Sequence, residues 1–108
     1  MTAVDRGPAR HERPAIDEAA LAAARIADRL LEAAHARNAT RWEEYLGPLP
    51  GQLRDGGISE LRRIVMRARA AYGPKDSIRE ALPAEFTEPF LAALDRLLKA
   101  LARDAMER

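Results

Sequence analysis

The sequence predicts an all-α fold, a small helical bundle of three principal helices with one or two short ones. Three observations carry that expectation. Apolar residues recur at three- and four-residue spacing over residues 15–38, 58–72 and 87–106, the period of one helix face. Glycine and proline punctuate the chain between those runs, where helices must start and stop. No run alternates apolar and polar residues as a half-buried strand would, and no internal repeat is visible.

Residues 1–14, MTAVDRGPARHERP, carry two prolines, a glycine and mixed charge with almost nothing to bury, and read as a disordered tail ahead of a single helical domain at 15–108. Pro14 suits a helix start, because the first turn does not need the missing N–H. From Ala15 to about Asn38, Ile16, Ala19, Ala20, Ala23, Ile26, Ala27, Leu30, Leu31 and Ala34 share one face. Arg25–Asp28 and Arg29–Glu32 stand as i,i+3 pairs on the other side, each contributing ~0.2–0.5 kcal/mol.

Thr40-Arg41-Trp42-Glu43 fits a capping box, so either a second helix starts there or the first runs on to about Tyr45. Trp42, Tyr45 and Leu46 anchor it to the core in both cases. The stretch GPLPGQLRDGG (47–57), with two prolines and four glycines, reads as a loop holding at most one turn around Gln52–Arg54.

Ile58 to Tyr72 is the strongly basic element, with Ile58, Leu61, Ile64, Val65, Ala68, Ala71 and Tyr72 on its apolar face. Gly73 suits a left-handed stop and Pro74 prevents continuation. Ser77-Ile78-Arg79-Glu80 is a second capping box, opening a short helix that Pro83 ends. Thr87 caps the last helix, with Glu88 and Pro89 in its first turn. Along it Leu91, Leu94, Leu98 and Leu101 form an a/d-like seam flanked by Phe90 and Leu97, a candidate oligomer interface.

A chain of 108 residues makes one modest core, and 23 of them are alanine, which adds little buried area per residue. Dimerisation would supply the missing burial, so a homo-oligomer is favoured over a monomer. The net charge of +1 excludes a polycation for nucleic acid. Cysteine is absent, which excludes disulfides, thiolate metal sites and a cysteine nucleophile. No apolar run approaches the roughly 20 residues of a membrane span, so no membrane partner is expected and cytoplasm is the default location.

Arg62, Arg63, Met66, Arg67 and Arg69 are the candidate partner-binding residues. Arg63 and Arg67 are i,i+4 and repel unless something acidic lies nearby. The opposing reading is internal neutralisation. Residues 58–75 hold five basic side chains against Glu60, while 76–91 hold Asp76, Glu80, Glu85 and Glu88 against Arg79. On that balance the two neighbours pair with each other. A DNA-reading helix-turn-helix over 58–82 is disfavoured because the second helix is too short and carries only Arg79 and Glu80 as charges. The five aromatics offer no stacking platform for single strands.

Glu32-Ala33-Ala34-His35 has the spacing of a di-iron half-site, with Asp28 one turn before it, but these residues lie off the apolar stripe and no second E-x-x-H exists. No metal ligand and no cofactor is therefore assigned. His11 sits in the tail beside Glu12, and Glu43-Glu44 point in different directions. Ser59 and Ser77 read as caps, so no catalytic residue is assigned either. The sequence thus points to a non-enzymatic interaction module that self-associates or docks on another protein, with a nucleic-acid accessory protein using 58–72 as the alternative. An oligomeric metal-carboxylate protein is the third reading.

Overall fold

A computed structural model describes residues 8–107. Pro14 is the first residue of α1 (Pro14–Ala36), which buries Ile16, Ala20, Ala23, Ala24, Ala27, Leu30 and Ala34 on one face. The helix stops because Asn38 adopts φ 54°, a left-handed conformation that asparagine tolerates better than most side chains. A separate α2 (Thr40–Leu46) follows, so the first helix does not run through. The expected capping box does not form. Thr40 is already inside the helix, Ala39 precedes it without a side-chain cap, and Glu43 turns back to His35 Nδ1 on α1.

The expected loop at 47–57 is largely a helix, α3 (Leu49–Asp55). Pro48 and Pro50 flank its first residue, where a missing N–H costs nothing, and Leu49, Pro50 and Leu53 are buried. Prolines read as breakers here start a helix instead. Gly56 then passes so close to the helix that follows that a Cβ on it would lie 2.6 Å from the Gln52 carbonyl oxygen and 2.9 Å from Ile64 Cδ1.

The basic helix is α4 (Ile58–Arg69), extended by a 3-10 turn over Ala70–Tyr72. Glu60 accepts from the Gly57 N–H at its start. Gly73 is not left-handed (φ −66°); the positive φ falls on Asp76, at 52°. Ser77 caps α5 (Ile78–Ala81) as expected, its Oγ accepting from Arg79 N–H at 3.1 Å. The final helix, α6 (Ala84–Met106), begins right after Pro83, ahead of the expected Thr87 cap. Thr87 is instead wholly buried inside its first turns, and Pro89 lies within the helix.

Arg13, just ahead of α1, pairs with Asp104 near the end of α6 at 2.7 Å, so the two 23-residue helices run antiparallel. Each is about 34 Å long at 1.5 Å per residue, which accounts for most of the 46 Å long axis of the molecule. The alanines of α1 have no side-chain length to hold a neighbour away, so α1 packs closely against α6 and forms the centre of the bundle with it. α2 and α3 pack on α1, and α4 bridges α3 and α6. Phe90, Leu94, Leu97, Leu61, Val65, Ile78 and Leu53 fill the core between them.

Part of the segment read as a tail is anchored. Residues 1–7 lie outside the described residues, but Arg10–Glu12 form a 3-10 turn. The Arg10 guanidinium pairs with Asp17 and donates to the Leu53 and Gly56 carbonyls at the end of α3. The α1 pairing also differs from expectation. Asp28 bonds Arg54 on α3, and no Arg25–Asp28 pair forms. A contact across helices has replaced one within a helix.

Candidate interaction surface

The amphipathic spacing of α4 buries Ile58, Leu61, Ile64, Val65 and Ala68, and this leaves Arg62, Arg63, Met66 and Arg67 on the outside. Met66 is 47% exposed, one of two large apolar side chains left in solvent among the described residues. Among the described residues no ion pair forms to Arg62, Arg63 or Arg67. Arg69, on the flank facing α6, pairs with Asp95 at 3.0 Å and so belongs to the fold.

The acidic stretch that follows does not neutralise this face. Glu88 is engaged by Arg79 through two hydrogen bonds, 2.8 Å from Nε and 2.9 Å from Nη2. Those bonds, together with one from Thr87 Oγ1, hold the Glu88 carboxyl below the usual carboxylate range. The Arg79 guanidinium also lies over the Tyr72 ring, 5.3 Å from its centre. Burial pushes the Tyr72 hydroxyl pKa well up, so it stays protonated and donates to the Thr87 carbonyl. Among the described residues no ion pair joins 58–75 to 76–91, so the expected internal pairing does not form: Glu88 pairs with Arg79 inside the second segment, and Asp76, Glu80 and Glu85 reach none of the arginines of α4.

Between α3 and α4 lies a recess of about 320 Å³, lined by Gln52, Arg63, Ile64 and Arg67. It continues toward the start of α4 past Asp55 and Glu60. Gln52 lines it, but its side-chain carbonyl oxygen is shut off from solvent and has no hydrogen-bond donor among the described residues. Tyr45 of α2 closes the neighbouring position by donating to the Arg67 carbonyl, and burial raises its hydroxyl pKa. Sequence reasoning missed Gln52 because it lay in the supposed loop. The signal was there in Leu49 and Leu53, whose four-residue spacing marks a helix and sets Gln52 beside them.

Of the candidate seam, Leu94 is wholly buried in the protomer's own core, whereas Leu91, Leu98 and Leu101 are half-buried. The inward face of α6 is Phe90, Ala93, Leu94 and Leu97. A second groove, between α1 and α6, has an alanine floor at Ala15, Ala19 and Ala22 and a rim of Arg96, Lys99 and Arg103. No polar group of the described residues is buried unpaired in it.

The E-x-x-H residues are not brought together. His35 contacts Glu43 and Asp28 contacts Arg54, and no cluster of three or more metal-ligating side chains occurs among the described residues. No helix among them is long and apolar enough to cross a membrane. Comparison with known protein families, curated proteins and solved structures finds no match to this chain.

Proposed function

We propose that the protein is a non-enzymatic docking module that binds an acidic segment of a protein partner through the exposed face of α4. The observation behind this reading is that Arg62, Arg63 and Arg67 make no ion pair among the described residues and surround an exposed Met66. Guanidinium groups offer planar, bidentate donors to carboxylates, and methionine adapts its unbranched chain to irregular apolar contacts. Exposed ion pairs contribute only ~0.2–1 kcal/mol each, so such a face supports a weak, salt-sensitive contact whose charges act mainly on encounter and specificity.

A nucleic-acid partner is less well supported. A phosphate backbone presents closely repeated negative charge, and along this surface it would meet Asp55 and Glu60 beside Arg63. A peptide can place its carboxylates selectively.

Fluorescence anisotropy tests the reading with a labelled peptide of alternating glutamate and leucine, its lysine–leucine counterpart and a short single-stranded DNA, all at matched low salt. The acidic peptide should bind best, weaken as salt rises, and lose at least tenfold in affinity when Arg63 and Arg67 are both changed to glutamate. Equal affinity of the wild type and the double variant would overturn the proposal. Tighter binding of the DNA would replace the protein partner with a nucleic acid.

A further inference from the structure

We infer that the groove between α1 and α6 binds a free, unbranched long-chain carboxylate, its head held by Arg96 and Lys99 and its chain laid along the groove floor toward Pro14. The site shares no residue with the α4 face and stands independently of the docking reading.

The groove holds about 370 Å³, within the range of small-molecule sites, which are mostly apolar with a few polar groups that orient the ligand. Ala15, Ala19 and Ala22 on α1 recur at three- and four-residue spacing, and so do Arg96, Lys99 and Arg103 on α6. The depression therefore runs lengthwise between the two helices for two turns, roughly 10 Å. A floor of methyl groups in a channel of that shape accepts an unbranched apolar chain and offers it no polar partner. Arg96, Lys99 and Arg103 make no ion pair among the described residues, so three cations rim the floor against the single carboxylate of Glu18. The rim is complementary to an anion, and the floor to a hydrocarbon. A fatty-acid-like carboxylate carries both in one molecule.

The two ends of the groove differ, and this orients the ligand. Antiparallel packing sets Arg13 beside Asp104, which places Ala22 level with Arg96 and Ala15 level with Arg103. At the Ala15 end the groove opens into a second depression of about 190 Å³, where Pro14, Ile16 and Ala100 supply apolar lining. Glu12 and Glu107 also line it, beside the Arg13–Asp104 pair, so an anionic head is repelled there while a chain still finds apolar surface. The head therefore sits at the other end, between Arg96 and Lys99, which stand one turn apart on α6. Arg103 lines both depressions and covers the chain with its aliphatic stem, as long cationic side chains do over apolar surface.

The test titrates ¹⁵N-labelled protein with decanoate, kept below the concentration at which it forms micelles, and in parallel with acetate and with decyltrimethylammonium. Decanoate alone should give saturable resonance shifts, centred on Arg96, Lys99 and the α1 alanines. The Arg96→Glu/Lys99→Glu double variant should lose at least tenfold in affinity, and Ala22→Leu, which fills the floor, three- to tenfold. Circular dichroism checks that both fold; should either unfold, the comparison of the three ligands on wild type decides alone. The Arg63→Glu/Arg67→Glu variant should bind decanoate as wild type does, which separates this site from the α4 face. Equal shifts with acetate would reduce the site to a simple anion contact, and equal binding of decyltrimethylammonium would make it a charge-blind apolar surface. Either result overturns the proposal. Co-sedimentation with phosphatidylserine vesicles without saturable decanoate binding would also overturn it, making this face a membrane contact. Shifts of the groove residues by the glutamate–leucine peptide and not by decanoate would overturn it in favour of a protein segment.

Discussion

Arg10, ahead of the first helix, donates from Nη1 to the carbonyl oxygen of Gly56, 46 residues along the chain, at 3.0 Å. The same guanidinium donates to Leu53 O at 2.7 Å and pairs with Asp17 at 2.8 Å. The last carbonyls of a helix have no partner within it, and α3 is too short to persist alone in water. Arg10 caps it from a distant part of the chain, while Asp17 on α1 holds the guanidinium in place. Arg10→Ala should cost about 2 kcal/mol, in the range for hydrogen bonds to a charged group. Thermal unfolding would read this as a loss of roughly 10 °C; an unchanged midpoint would show that the contact contributes nothing.

Gly56 is held to a single residue type by space and not by backbone angle. Its φ is −64°, which any residue adopts, but a Cβ would press on the Gln52 carbonyl and on Ile64. A backbone atom cannot move aside as a flexible chain end does. Gly56→Ala should therefore destabilise the fold by about 1–3 kcal/mol, the usual effect of overpacking. At Gly51, where nothing lies within 4 Å of the corresponding position, the same change should be neutral or stabilising because alanine favours helix. Denaturant midpoints of the two variants, compared with wild type, check the contrast in sign.

These two residues also show how far the fold was legible in sequence. α1, α4 and the Ser77 cap follow from local rules, namely periodic apolar residues, a bracketing glycine pair and a hydroxyl before a helix. α3 does not follow from them, because its prolines look like breakers and its C-terminal cap lies in a segment that composition marks as a tail. The start of α6 was misplaced for a related reason. Thr87 has the chemistry of a cap, but tertiary packing buries it and Pro83 takes the starting position. The candidate surface was legible as a set of arginines. Its electrostatics were not, because charges close in sequence need not pair. Glu88 lies nearest Arg79, and Asp95 reaches Arg69 from another helix.

The Arg79–Glu88 pair makes a pH-dependent contribution of definite sign. Hydrogen bonds from Arg79 and Thr87 lower the folded-state pKa of Glu88 below its ordinary value. A depressed carboxylate pKa stabilises the fold above the unfolded-state value, and that contribution is lost as pH falls through the folded-state value. Wild type should therefore exceed Glu88→Gln in thermal midpoint at pH 7. The two should converge as the solution is acidified below the usual glutamate range. A gap that stays constant down to the acid limit would mean that Glu88 acts by packing instead of charge.

Leu94 and Leu98 separate core from surface on α6. Leu94 is fully buried, so Leu94→Ala should cost about 2–5 kcal/mol through the cavity it leaves. Leu98 is only half-buried, and Leu98→Ala should cost less than half as much. If α6 also mediates self-association, Leu98→Glu should lower the weight-average mass in sedimentation at high protein concentration, whereas an unchanged mass would leave Leu98 with a role only inside the protomer.

The arginine face yields the prediction that most directly separates function from folding. Arg63 and Arg67 are like charges at i,i+4, an arrangement that destabilises a helix by a few tenths of a kcal/mol. Asp55 and Glu60 lie along the same recess as Arg63 and offset part of that repulsion, whereas Arg67 lies outside that acidic stretch. Arg67→Gln should therefore leave stability unchanged or raise it by up to ~0.5 kcal/mol, since it removes repulsion and breaks no ion pair found among the described residues. The side chain is also not needed for the Tyr45 contact, which uses the Arg67 backbone carbonyl. The same substitution should weaken acidic-peptide binding severalfold. Loss of stability together with binding would mark Arg67 as a structural residue; retained stability with lost binding is the signature of a residue kept for a partner, the trade-off expected where a surface is held for function.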